Sequence, residues 1–154
     1  MQIIFLLLGY VLQTTWLAKL FPVVHPDLLL VLLIICISNK GFVKGLGWGL
    51  GVGLFLDIFS GFNYFYIFVY ALLGGLIGLV PGDFFRDYRT LAVTNTLAAT
   101  ILLEIVYLLA SGFIFQRIIA VSFFWFLFLL LANGLLAYFL ADPLARLFGI
   151  DIRA

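Results

Sequence analysis

Charge is what this chain lacks most. Only 10% of its 154 residues are Asp, Glu, Lys or Arg. A soluble domain carries about a quarter, so a monomer of this composition has too little polar surface to stay in water. Cysteine is almost absent: Cys36 stands alone in an apolar run, which excludes an internal disulfide or a Cys-based metal site. Histidine is equally scarce. His25 is the single one, so a three-His metal site and an H-E-x-x-H helix are excluded. There is no basic run, and the formal net charge is +1. Nothing here points to nucleic acid. Glycines at 45, 47 and 49 never complete G-x-G-x-x-G, and no P-loop is present. The expectation is therefore no catalytic residue, no metal and no cofactor.

What the chain has is apolar length. Hydrophobic residues make up 66%, and the mean hydropathy is +1.31. Six apolar runs stand out, at about 2–18, 24–39, 43–60, 64–81, 91–113 and 118–141. Six spans of about 20 residues with short loops use up the whole chain. The expected architecture is all-α: one integral membrane domain over 1–154, a bundle of six transmembrane helices. The first run has no basic leader and no A-x-A site, so it reads as a retained span. The second run is the weakest. Its continuous apolar core, Leu28 to Ile37, is short for a bilayer and suits a short, tilted or re-entrant helix. Pro26 in its first turn and Asp27 beside it form a helix-start motif, because Pro lacks a donor unused there and the acid faces the positive dipole end.

Lys and Arg in the short loops set the orientation. Lys40, Lys44, Arg86, Arg89, Arg146 and Arg153 lie on one side, and Lys19 and Arg117 on the other. Both termini are therefore expected in the cytoplasm, with the loop at Ser60 to Asn63 outside. Two cytoplasmic stretches look interfacial. One is Pro81–Arg89. The other begins at Asp142, which would cap a short amphipathic helix with Pro143 in its first position.

The most informative spacing is in the third run. Gly41, Gly45, Gly49, Gly53, Asp57 and Gly61 fall every fourth residue, on one face of a helix. Gly74, Gly78 and Gly82 repeat the spacing in the fourth run. Small residues four apart let helix backbones approach in lipid. Gly45, Gly49, Gly53, Gly74 and Gly78 are thus expected at helix packing or partner interfaces, with the third span central. Gly47 and Gly51 add a second small strip.

Polar residues within spans are costly, and they mark packing or functional sites. Asp57 and Glu104 come out at similar depths, about 18–20 Å from the basic side. Gln13 and Tyr70 reach the same level, so Gln13, Asp57, Tyr70 and Glu104 are expected to form a buried polar layer. Thr96, Thr100 and Glu104 share a helix face that Tyr107 and Ser111 continue. Interhelical hydrogen bonding or a helix-end cap, a partner or ligand contact, and proton relay or catalysis all remain open for this layer. Asp57 would bond either a neighbouring span's hydroxyl or amide, or backbone donors of the Ser60–Phe62 turn. Asn133 suits a bond across helices.

These segments resemble a known family. HPDLLLVLLIICIS, a basic turn, GLGWGLGVGLFLDIFSG and YALLGGLIG are similar to the MreD family of bacterial rod-shape-determining membrane proteins. Pro26, Asp27 and the leucines match its P-D-L-L-L opening, and Asp57, Ser60 and Gly61 match its D-x-x-S-G ending. The motif-bearing part covers about residues 25 to 80. The turn at 62–66 departs from the Gly-Leu-rich family pattern. The resemblance implies a non-enzymatic scaffold in the cell-elongation complex, bound to an MreC-like bitopic protein. RodA-type glycosyltransferase, a penicillin-binding transpeptidase and cytoplasmic MreB filaments complete that complex. It also implies a fold like the substrate-binding subunit of energy-coupling-factor transporters, whose members bind vitamins. That makes a small-molecule-binding subunit the rival reading. Such a site needs loops to cover it and convergent polar groups, and the loops at 19–26 and 60–63 are short. An intramembrane enzyme is the third class, without a base–nucleophile pair to support it.

Overall fold

The computed structural model describes residues 2–20, 26–38, 40–60, 64–81, 85, 87–113 and 123–150. His25, Asn39, the turn 61–63, Gly82, Phe84, Arg86, Arg117 and Arg153 lie outside these residues, as does the side chain of Ser111. Among the described residues there are six helices and no strand. They are α1 (Gln2–Leu20), α2 (Leu28–Ile37), α3 (Phe42–Ser60), α4 (Phe65–Gly78), α5 (Tyr88–Phe113) and α6 (Phe123–Phe148). Four of them, α1, α3, α5 and α6, are long and apolar enough to cross a membrane. The protein is all-α, with the make-up of a membrane protein. In lipid every backbone group must find its partner inside the chain, and a helix provides that.

The centre of the bundle is α2, a correction to the expectation that the glycine-rich third run sits there. All residues from Leu29 to Ile37 are buried. This helix has no polar face, and a helix apolar all round must be buried all round. It touches each of the other five helices. Its 10 residues rise only about 15 Å, half of a bilayer core. By contrast, α3 meets the bundle on one side only. Gly45, Gly49, Val52 and Gly53 are buried, while Leu50, Leu54 and Ile58 face outward.

The pair α3–α4 is an antiparallel hairpin closed by bare backbone. A Cβ added at Gly49 would run into the Tyr70 carbonyl, with the Tyr70 carbonyl carbon at 2.8 Å and Ala71 Cα at 3.0 Å. At Gly53 it would lie 2.6 Å from Ile67 Cα. Gly45 faces Gly74, and Gly78 faces the Gly41 carbonyl. Each step of four up α3 meets a step of four down α4. Carbonyl oxygens of one helix thus sit over Cα atoms of the other, an arrangement in which Cα–H groups donate weakly. In water this run would fray, since each helical Gly costs about 1 kcal/mol against Ala. In lipid the several kcal/mol lost per unpaired backbone group holds it helical.

Helices α5 and α6 pack together and are linked by an ion pair. Arg89 pairs with Asp142 and stacks 4.6 Å over the Tyr138 ring. This corrects the reading of Asp142 as a cap. Helix α6 runs unbroken through Pro143 to Phe148, and Asp142 lies within it. Ala141, Leu144 and Ala145 are buried in the bundle on either side of the proline, and that packing carries the helix through.

Candidate functional site

The polar residues converge on the start of α2, a helix end inside the bundle. A helix N-terminus leaves its first N–H groups without partners and carries partial positive charge. Water cannot supply acceptors within a bilayer, so side chains must.

Asp27 is the N-cap, with Oδ1 accepting from Leu30 N at 3.0 Å. Pro26 therefore precedes the cap rather than occupying the first turn, which corrects that detail of the start motif. Its carbonyl accepts from Leu28 N at 3.1 Å. From α1, Gln13 Oε1 accepts from Leu29 N at 2.9 Å. From α6, Asn133 Oδ1 accepts from Asp27 N at 2.9 Å. From α4, the Tyr70 hydroxyl donates to Asp27 Oδ2 at 2.9 Å. From α5, Thr100 Oγ1 accepts from Asn133 Nδ2 at 3.1 Å and donates to Thr96 O at 2.8 Å. Four helices thus close on one helix start. Tyr70, Asn133, Thr96 and Thr100 are fully buried there.

Gln13 reaches Leu29 from an irregular turn. Residues Gln13–Leu17 form a π-turn, with Ala18 N bonded to Gln13 O. Such turns insert one extra residue in a helix and re-aim its side chains. Thr14 and Thr15 hydroxyls bond back to Tyr10 and Val11 carbonyls along the same stretch.

The far end of α2 is fastened as well. The Tyr88 hydroxyl donates to the Ile35 carbonyl, and Asn95 Nδ2 donates to Ser38 Oγ at 3.1 Å. Both tie α5 to the short central helix. Tyr88 belongs to the stretch Pro81–Arg89 expected at the interface; its burial against α2 corrects that expectation for this residue, while Asn95 and Ser38 carry no expectation from the sequence. The signal was available: a Tyr and an Asn seven apart lie on one helix face.

The expected polar layer separates into two linked groups. Gln13 and Tyr70 belong to the Asp27 cluster. Glu104 is half-buried on the α5 face that carries Thr100, one turn further along the helix. Asp57 does something else. It is half-buried, and its two oxygens accept from Tyr66 N at 3.1 Å and Ile67 N at 2.9 Å. The donors are amide N–H groups of the neighbouring helix, so Asp57 caps α4; Gly61 and Phe62 of the turn lie outside the described residues. Tyr64, at the N-cap position, offers no side-chain acceptor and sits at φ 62°. Asp57 supplies the missing cap from the preceding helix. The Tyr66 ring, 6.2 Å from Tyr70 and 6.3 Å from Tyr107, joins the two groups.

Comparison of the chain with protein-family models, with curated proteins and with solved structures yields no match. The site is therefore read from its own chemistry. Its carboxylates and amides are aimed at backbone N–H groups. Each such bond offsets a desolvation cost of about 1–3 kcal/mol per buried donor. Among the described residues, no group of three His, Cys, Asp or Glu is placed to hold a metal ion. What the arrangement does is hold a half-length apolar helix at a fixed depth and rotation.

A cavity lies elsewhere. A cleft of about 520 Å³ opens between α1 and α3, lined by Leu6, Leu7, Lys44, Gly47, Trp48 and Gly51 among others. None of Gln13, Asp57, Tyr70 or Glu104 faces it.

Proposed function

We propose that this protein is a non-enzymatic membrane scaffold of the MreD kind. In this reading it binds the transmembrane helix of an MreC-like bitopic partner in the bacterial inner membrane. Through that partner it serves the cell-elongation complex, with its RodA-type glycosyltransferase, penicillin-binding transpeptidase and MreB filaments. All six helices count as membrane-embedded, with both termini in the cytoplasm and a fold akin to energy-coupling-factor substrate-binding subunits. The observation that carries the reading is the direction of the polar side chains. Asp27, Asn133, Gln13 and Asp57 all accept from backbone N–H groups of the chain itself. A vitamin-type site needs convergent polar groups around a cavity. The cleft between α1 and α3 has an apolar lining apart from Lys44.

The test is co-purification from bacterial membranes, with uptake of labelled vitamins measured in the same strain. Recovery of a bitopic partner that is lost in an Asp57→Leu variant, with uptake unchanged, is the expected result. Intact partner recovery with lost uptake would replace the scaffold with the transporter-type reading. Topology is tested by labelling single cysteines placed at Asn63 and Thr90. Labelling of position 90 from outside would reverse the orientation.

A further inference from the structure

The cleft between α1 and α3 has a definite shape. Gly47 and Gly51 line it, and a Cβ on either would meet nothing within 4 Å. Leu29 of the central helix lies at its base. Along α3 it runs from Lys44 to Phe55, about 16 Å at 1.5 Å per residue. One leaflet of a bilayer core is about 15 Å. Three rings gather at the Phe55 end: Tyr10 lies 4.9 Å from Phe55 and 5.6 Å from Phe59, and Phe55 lies 4.7 Å from Phe59. The opposite end carries charge. Lys44 lines the cleft, and Lys40 holds its ammonium 6.0 Å from the Trp48 ring and 3.3 Å from Gln2 Oε1. Among the described residues neither lysine is ion-paired; the ion pair there is Arg89–Asp142.

We propose that this cleft holds one acyl chain of an acidic phospholipid, laid along Gly47 and Gly51, with its phosphate on Lys44 and beside Lys40. The depth suits a chain of one leaflet, and the cations at its mouth select an anion. On the proposed topology this is the cytoplasmic leaflet. Burial, with the nearby charge of Lys44 adding to it, lowers the Lys40 pKa. An anionic headgroup would oppose both effects.

Trp48 reports the occupant. In a Trp16→Phe, Trp125→Phe protein it is the remaining indole. This protein is placed in phosphatidylcholine vesicles containing equal fractions of chain-brominated phosphatidylglycerol or chain-brominated phosphatidylcholine. Bromine quenches indole on contact. Brominated phosphatidylglycerol should quench at about fivefold lower membrane fraction, the preference expected for one lysine at the surface. Lys44→Gln should remove most of that preference, and Lys40→Gln with it the remainder. Gly51→Leu should fill the cleft and reduce quenching by both lipids, with helicity by circular dichroism unchanged. Equal quenching by the two lipids overturns the proposal, and so does a preference that survives both lysine changes. Undiminished quenching in folded Gly51→Leu overturns it as well. Trp48 shielded from both lipids in protein purified with a bitopic partner would assign the cleft to a helix and overturn it likewise.

Discussion

Two strips of glycine run along the same helix, two residues out of register, and they meet opposite fates. Gly45, Gly49 and Gly53 face α4 so closely that a single methyl group would strike backbone. Gly47 and Gly51 face open space and line a cleft. Composition, spacing and host helix are the same. The difference is what lies opposite, and that is decided by α4 and α1. The tight strip has a further member. Asp57 continues it one turn beyond Gly53, where α4 begins and its first N–H groups need acceptors from outside the helix. The same face thus presents bare backbone along the length of α4 and an acceptor at its start.

The largest expected effect breaks the tight strip. Gly49→Leu should lower stability by about 3 kcal/mol or more, because the obstacle is the Tyr70–Ala71 backbone, which cannot turn aside. Thermal unfolding in detergent and accumulation in membranes both measure it. A wild-type melting curve would mean that α3 and α4 are not in contact.

A second prediction sets polar fastening against apolar packing. Asp27→Leu removes the cap of α2 and strands the Tyr70 hydroxyl in a fully buried place. The loss should be about 2–4 kcal/mol, combining the cap and an unpaired donor. Asp27→Asn should lose about half as much, since the amide keeps an acceptor. Equal losses in the two variants would show that charge, not hydrogen bonding, holds the helix start.

Asp57 sharpens the comparison at the hairpin's end. Asp57→Leu should cost about 2 kcal/mol by leaving Tyr66 N and Ile67 N without acceptors. Asp57→Asn should cost about 1 kcal/mol or less. Amide hydrogen exchange at Tyr66 and Ile67 should quicken in the leucine variant while the first turn of α2 stays protected. Uniform loss of protection would deny Asp57 a local capping role.

The smallest effect comes from the open strip. Gly51→Ala should be neutral or stabilising by up to about 1 kcal/mol, as alanine is the better helix former and meets no neighbour. Gly49→Ala should destabilise. Should the two alanine variants melt together, the distinction between the strips fails.

Much of this was legible in the chain. The period-four glycines announce close packing of the third and fourth runs, because a helix repeats its faces near that interval whatever surrounds it. Apolar length announces membrane helices, since lipid admits little else. The shortness of the second run was visible too, but its centrality was not. Leu29 to Ile37 would look the same facing lipid as facing protein, both being apolar. Asp142 and Pro143 carry a local helix-start pattern, yet the helix runs through them because Ala141, Leu144 and Ala145 are buried against distant parts of the chain. An acid at position 57 of an apolar run needs a partner whatever the fold, but which partner depends on where α4 starts.

By itself, then, the amino-acid sequence determined the class of solvent, the helices and the faces that can approach closely, because these follow from apolar content and a fixed helical period. Only the tertiary structure decided which glycine strip is closed, which helix is central and which N–H each carboxylate serves. Those depend on side chains and backbones brought together from distant parts of the chain. In lipid, apolar contact alone discriminates weakly between such arrangements, so backbone fit and the pairing of buried polar groups settle them.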